Sequence, residues 1–556
     1  MSSSLPQSFR QLIKPIEAVG FSLNDLEQAF LATIGGEDSE DDDVCEKCER
    51  EKEREKTSPR RSSRSKGDKV SKLRDSVRLH KSHGSEANNA LRHAKLGRAL
   101  HGRFELHGDP HDLDEAITHL STAMAILPSK HKHRPMYESN VGLMLCVRYE
   151  HTHADKDLER AVTYCRNSLN ALESQFGDSS SAIDKAWYRA NLATSLLHRY
   201  ERHKQPQDLE EALTTWKTAI SSLPDGHPDK ASYQSNLSAV YLARYQNTNT
   251  IEDLDRSITA IRAAIRGTPN DDIHWVIYKY MASSLFFKRW TRSHREDDID
   301  RSIEAGRAAL AALPNKHRYS SKYQSELATK LLSRYDQTGR LEDVNEAIDL
   351  SKDAAVTFAH SSYPAERNAT PFSRLTALTQ ALTKRFEKTD EIADLDEAIK
   401  HAKQAASVAD KSRSPERHTS HFIVANLIYT RFERLGQPAD LDESISHSNI
   451  AVDATPGSKS QKDREDLSEK LSVLSSHHLT RFEFQREPGD LDAAVNFART
   501  ALELKKAGDG DGPLHLHPHP ATRYALALAL FRRFEQTGEM NDLEGALKNA
   551  QLAYDA

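Results

Sequence analysis

Residues able to bind metal, attack a carbonyl or carry phosphate are few and scattered in this 556-residue sequence. "CEKC", Cys45 to Cys48, has zinc-ligand spacing, but a structural site needs four ligands and no second CxxC follows. His80 and His83 lie too far along a polar stretch to complete it readily. The "LHLHPHP" run, with His515, His517 and His519, could chelate a metal weakly but reads better as a solvated loop. No Cys follows Cys165, so a Cys–His peptidase has no nucleophile in the second two-thirds of the chain. Ser58 before Pro, and Ser62 and Ser63 after two Arg, are candidates for phosphorylation in a segment with nuclear-import character. With no catalytic set and no metal set, the expectation is a protein that is not an enzyme and uses no cofactor.

The residues whose spacing does imply recognition are three asparagines, Asn140, Asn191 and Asn236, each eight residues before an Arg. An Asn side chain both donates and accepts, so a ladder of them can pair with the backbone of an extended peptide. The same ladder can equally bond between neighbouring structural units. Tyr188 and Tyr233, eleven residues before the same Arg, accompany it, together with Tyr137, Tyr278 and Tyr323. These are either partner contacts or packing residues that supply buried area.

A repeat must position these residues. The Arg recurs as Arg103, Arg148, Arg199, Arg244, Arg289, Arg334, Arg385, Arg431, Arg481 and Arg533, spaced 45 to 52 residues apart. An Asp follows nine residues later in all ten copies, from Asp112 to Asp542. Apolar spacing before the Arg is helical, so each copy reads as two helices, with the Asp expected as the N-cap of the second. Three columns stay small in every copy. They begin with Gly97, Ala116 and Ala123, as close helix crossings require.

Net charge is −6 with 29% charged residues, giving no global attraction to nucleic acid or membrane. No apolar run is long enough to span a bilayer. Four cysteines are too few for a disulfide framework, which points to a reducing, cytoplasmic setting, with nuclear entry through the basic segment as the variant. Residues 1–35 hold a candidate short helix around "SLNDLEQAFLATI", residues 36–85 are an acidic then basic, Ser-rich linker expected to be disordered, and 86–556 form the array.

This pattern resembles the tetratricopeptide (TPR) repeat, with its Leu column (Leu96, Leu192, Leu327), small residues and closing Pro (Pro128, Pro224). One departure is an inter-helix loop expected to be about seven residues longer than the family's. The "DLDEAI" phrasing is similar to fungal TPR arrays, some of which continue into CHAT peptidase domains, and to kinesin light chain repeats. The resemblance implies an all-α fold, a right-handed superhelical α-solenoid of about ten TPR-like helix pairs. It also implies a protein-interaction scaffold whose groove binds proteins or peptides, with the Asn ladder as peptide contact. An alternative is the sensor half of a system whose effector domain is absent. The last repeat carries no polar capping helix, which leads to an expectation of self-association through it.

Overall fold

The structure is a computed structural model that describes residues 69–79, 86–176, 181–313, 317, 319–359, 371–455, 460–506 and 520–555. The candidate first helix, Cys45, Cys48, His80, His83, the three serines and His515, His517 and His519 lie outside the described residues. All elements among the described residues are helices. In chain order they are α1 (Lys69–Leu79), α2 (Glu86–His107), α3 (Pro110–Ile126), α4 (Arg134–Thr152), α5 (Asp155–Phe176), α6 (Ala182–His203) and α7 (Pro206–Ser222). Then come α8 (Asp229–Thr248), α9 (Ile251–Arg266), α10 (Ile273–Ser293), α11 (Glu296–Ala312), α12 (Ser320–Thr338), α13 (Leu341–Ala359) and α14 (Pro371–Thr389). The last are α15 (Ile392–Ser412), α16 (Arg417–Leu435), α17 (Pro438–Ala454), α18 (Gln461–Gln485), α19 (Pro488–Lys506), α20 (Pro520–Thr537) and α21 (Met540–Tyr554). From α2 onward they form ten antiparallel pairs, each a first helix A and a second helix B, and the chain divides into two compact units at Leu313/Pro314. Within each unit the pairs stack in order, the all-α solenoid arrangement.

Every copy closes helix A in one way. The residue five after the Arg takes a left-handed conformation, with φ between 51° at His294 and 71° at Gly538. Its N–H bonds to the carbonyl of the aromatic residue that follows the Arg, as from Lys204 to Tyr200 at 2.6 Å and from Gly436 to Phe432 at 2.7 Å. Helix B then starts two residues on, with Pro110, Pro206, Pro438 and Pro488 at its first position, where a missing N–H costs nothing. The long inter-helix loop expected from sequence is therefore absent: the extra residues are wound into helix A, which runs to 22 residues in α2 and 25 in α18.

The repeated Asp is not the N-cap. It sits in the first turn, three residues past the cap position, and its carboxylate is taken by the repeated Arg. In all ten copies Arg Nε donates to Oδ2 at 2.7–3.0 Å and Nη2 to Oδ1 at 2.5–2.7 Å. This fork-to-fork geometry is the strong form of the ion pair, and it fixes the angle between the two helices. The third guanidinium nitrogen reaches back to the preceding copy. Arg148 donates to Asp114, Arg199 to Glu159 and Arg244 to Glu210 within the first unit. In the second unit Arg431 donates to Asp396, Arg481 to Asp442 and Arg533 to Asp492. One residue type thus joins both the helices of a copy and successive copies.

Small columns do what close crossing requires. A Cβ on Gly142 would lie 2.4 Å from Cys165 Sγ, so only glycine allows α4 and α5 to approach. Where serine replaces it, the hydroxyls span the crossing: Ser238 Oγ donates to the Ser257 carbonyl at 2.9 Å and Ser257 Oγ to the Ser238 carbonyl at 2.8 Å. Helix α1 falls inside the linker expected to be disordered. It buries Val70 and Val77 in the same apolar cluster as Leu96 and Leu100 of α2.

Candidate functional site

The Asn ladder is divided by the fold. Asn191 is fully enclosed, with its Nδ2 donating to Ser139 Oγ of the preceding copy at 2.8 Å and its Oδ1 unpaired. Asn140 and Asn236 are half-buried. Tyr188 and Tyr233 are buried, each edge-on to a tryptophan, Trp187 at 4.9 Å and Trp216 at 5.2 Å between ring centres. Asn191 and both tyrosines therefore offer packing and inter-repeat bonding where the sequence suggested contact with a partner. The reason is register: Asn191 faces helix A of the preceding copy, and Tyr233 packs on helix B of the copy before it.

A shallow open pocket, with room of about 40 Å³ for the centres of water-sized molecules, lies instead in the second unit, between helix A of the seventh copy, α14, and helix A of the eighth, α16, with α15 at its base. Phe372 and Ile423 give it apolar walls, and Thr376, Thr383, Gln380 and Asn426 give it polar ones. The threonine protons are already spent within α14: Thr376 donates to the Phe372 carbonyl at 2.9 Å and Thr383 to the Thr379 carbonyl at 2.8 Å. Toward the pocket these hydroxyls present lone pairs. Gln380 and Asn426 each stand five residues before the repeated Arg of their copy, on adjacent helices, and their half-buried amides have no partner among the described residues.

No charged side chain lines the pocket. Lys384, one turn beyond Gln380, is engaged by Asp336 of the preceding copy. The chemistry on offer is several acceptors plus two groups that both donate and accept, in a setting without net charge. Such a set suits N–H-bearing neutral groups, above all the main chain of an extended polypeptide, and offers a carboxylate no cation to pair with. Five before the Arg the column is mixed in both units, Arg98, Leu143, Thr194, Ala239 and Ser284 and then Thr329, Gln380, Asn426, Ser476 and Leu528, and only the seventh and eighth copies carry an amide there.

Two other features bear on what the chain can be. Among the described residues no group of three or more His, Cys, Asp or Glu side chains is placed to hold a metal ion. No helix among them is long and apolar enough to cross a membrane.

No family model and no curated protein matches the chain. Solved structures similar to it are helical repeat proteins. A human IFIT1 dimer with PPP-AAAA is 13% identical, at a TM-score of 0.29, over 88% of this chain and 94% of that one. TPR-like repeats of a Podosopora anserina kinesin light chain are 16% identical, at 0.30, over 42% of this chain and 99% of that one. The apo quorum sensor NprR from B. thuringiensis is 14% identical, at 0.35, over 61% and 82%. At these values the likeness carries no argument about ligands; the chain's own helix pairs make it an all-α repeat array of TPR-like form.

Proposed function

We propose that this chain is a protein-interaction scaffold that holds a partner polypeptide in extended form against the faces of α14 and α16. The observation that carries the reading is the pair of unpartnered amides, Gln380 and Asn426, in an uncharged pocket between successive A helices. The Gln380 and Asn426 amides stay open to solvent, so a ligand backbone that pairs with them exchanges water for main-chain hydrogen bonds in both directions, donated and accepted. Repetition of the same column on neighbouring helices suits a strand-like ligand whose backbone groups recur along its length. The pocket is preferred to the Asn140–Asn236 ladder because the middle member of that ladder is enclosed.

The test is photo-crosslinking from a benzophenone amino acid placed at Phe372, on the pocket wall, and separately at Asn140, in cells that make the protein. The proposal expects a discrete crosslinked partner from position 372, lost when Gln380 and Asn426 are both changed to Leu. Crosslinks from position 140 alone would move the site to the other unit.

A further inference from the structure

Beside the pocket, two imidazoles meet nose to nose. His421 on α16 and His447 on α17 place their Nδ1 atoms 2.8 Å apart, with rings stacked at 5.0 Å between centres. On its far side His421 Nε2 is 3.2 Å from both carboxylate oxygens of Asp410 on α15. The cluster therefore ties together α15, α16 and α17. Two of these helices supply the pocket wall: Ala402 and Ala405 come from α15, and Ser420, the residue before His421, comes from α16.

We propose that the His421–His447 pair, anchored by Asp410, is an acid-sensitive latch that holds this wall in place at neutral pH and lets it separate when both rings carry protons. The regulatory part rests on the pocket being the binding site. Proton counting sets the behaviour. With Asp410 accepting from Nε2, neutral His421 presents Nδ1 as an acceptor, and His447 donates its Nδ1–H. One added proton leaves one donor and one acceptor at the contact and keeps the bond, now charge-assisted. A second proton turns both Nδ1 atoms into donors and sets two cations face to face, so the bond cannot survive.

The surroundings fix which step matters. From α15, Lys403 and Asp410 face the pair, Lys403 being engaged at 2.6 Å by Glu443 of α17. Glu443 also lies 3.9 Å from His447 Nε2, and Arg417 of α16 holds Asp410 at 2.6 Å. His418, next in sequence, points elsewhere, to Asp466 of α18. Burial and then the charge on His421 hold His447 below the ordinary histidine range, with Lys403 adding to this and Glu443 and Asp410 opposing it. A histidine whose bound-state value is depressed loses its stabilising contact as pH falls below the free value near 6.5, so opening belongs to mildly acid conditions.

Hydrogen exchange read by mass spectrometry on the full chain, without any ligand, tests this at pH 7.5 and 5.5 after correction for intrinsic rates. Amides of α16 and α17 are expected to lose protection about tenfold at pH 5.5 in the wild type, one unit of proton linkage. Less than about a twofold loss is expected in His447→Asn, where the amide nitrogen replaces Nδ1–H as donor and cannot be protonated. No acid loss in the wild type, or an equal loss in the variant, overturns the latch. If His447→Asn does not fold, His421→Asn takes its place with the same expected result. Because no ligand enters, the latch can fail while the pocket reading stands, and the crosslinking can fail while the latch stands.

Discussion

The two units share a scaffold and differ inside it. In residues 69–313 the column eleven before the Arg is tyrosine in four successive copies, Tyr137, Tyr188, Tyr233 and Tyr278, all buried, the last three in one apolar cluster with the fully enclosed Trp216. In residues 317–555 the same column runs Tyr323, Arg374, Ser420, Lys470 and Thr522, equally buried. Both halves carry the same Arg–Asp clamp, so the clamp specifies the fold, and the interior is free to differ. The first unit fills this column with aromatic packing, and the later copies enclose polar groups there at a cost in stability.

The largest effect that separates the halves should come from the clamp. Arg289→Ala leaves the nearly enclosed Asp298 carboxylate without its main partner and is expected to cost about 3–5 kcal/mol by denaturant unfolding. Arg481→Ala should cost less, roughly 2 kcal/mol, because Asp490 keeps His478 Nδ1 at 2.7 Å. Equal losses would show that the histidine contributes nothing. Next is acid. His477, enclosed and stacked 4.2 Å from the Tyr429 ring, is pushed down to about 3 by burial and then by the charge on His478. Its contribution is complete above the free value near 6.5 and fades as pH falls, so the second unit should lose on the order of 3 kcal/mol by pH 4. Proteolysis across that range checks it.

Smaller effects sharpen the contrast. Lys470 is almost fully enclosed, beside Asp466 and 5.5 Å over the Phe422 ring, and burial lowers its pKa. Lys470→Met should raise the stability of the second unit by about 1 kcal/mol at neutral pH, since Asp466 remains solvated and near His418. A loss would mean the cation is structurally required. Smallest, Lys204→Gly at a left-handed position with φ of 54° should gain roughly 0.5–1 kcal/mol in the first unit, read as a shift in thermal midpoint.

Much of the scaffold was legible because its residues recur: the Arg, the Asp and the small columns could be counted without a structure. The role of the Asp was misplaced because aspartate suits both the cap and the first turn. The proline two residues before it in "DPHDL" and "QPQDL" was the available correction, since proline favours the first helical position. The length of helix A was hidden for a different reason. Its stop is a left-handed residue that is glycine in only four copies and His, Lys, Asn, Asp or Arg in the others. The pocket was not legible because its polar lining differs between copies, and the histidine pair, matched among the described residues only by His93 and His119 of the first copy with Nδ1 atoms 2.9 Å apart, was not legible because its members are distant in sequence. His421 and His447 stand 26 positions apart and meet only once two helices cross.

The central claim is that binding follows the unpaired amides of the second unit. It is tested most directly by selecting displayed peptides on the purified chain and measuring their Kd against two double variants. The account predicts at least about a tenfold weakening with Gln380→Leu plus Asn426→Leu, and little change with Asn140→Leu plus Asn236→Leu. The reverse pattern would contradict it and return the site to the asparagine ladder of the first unit.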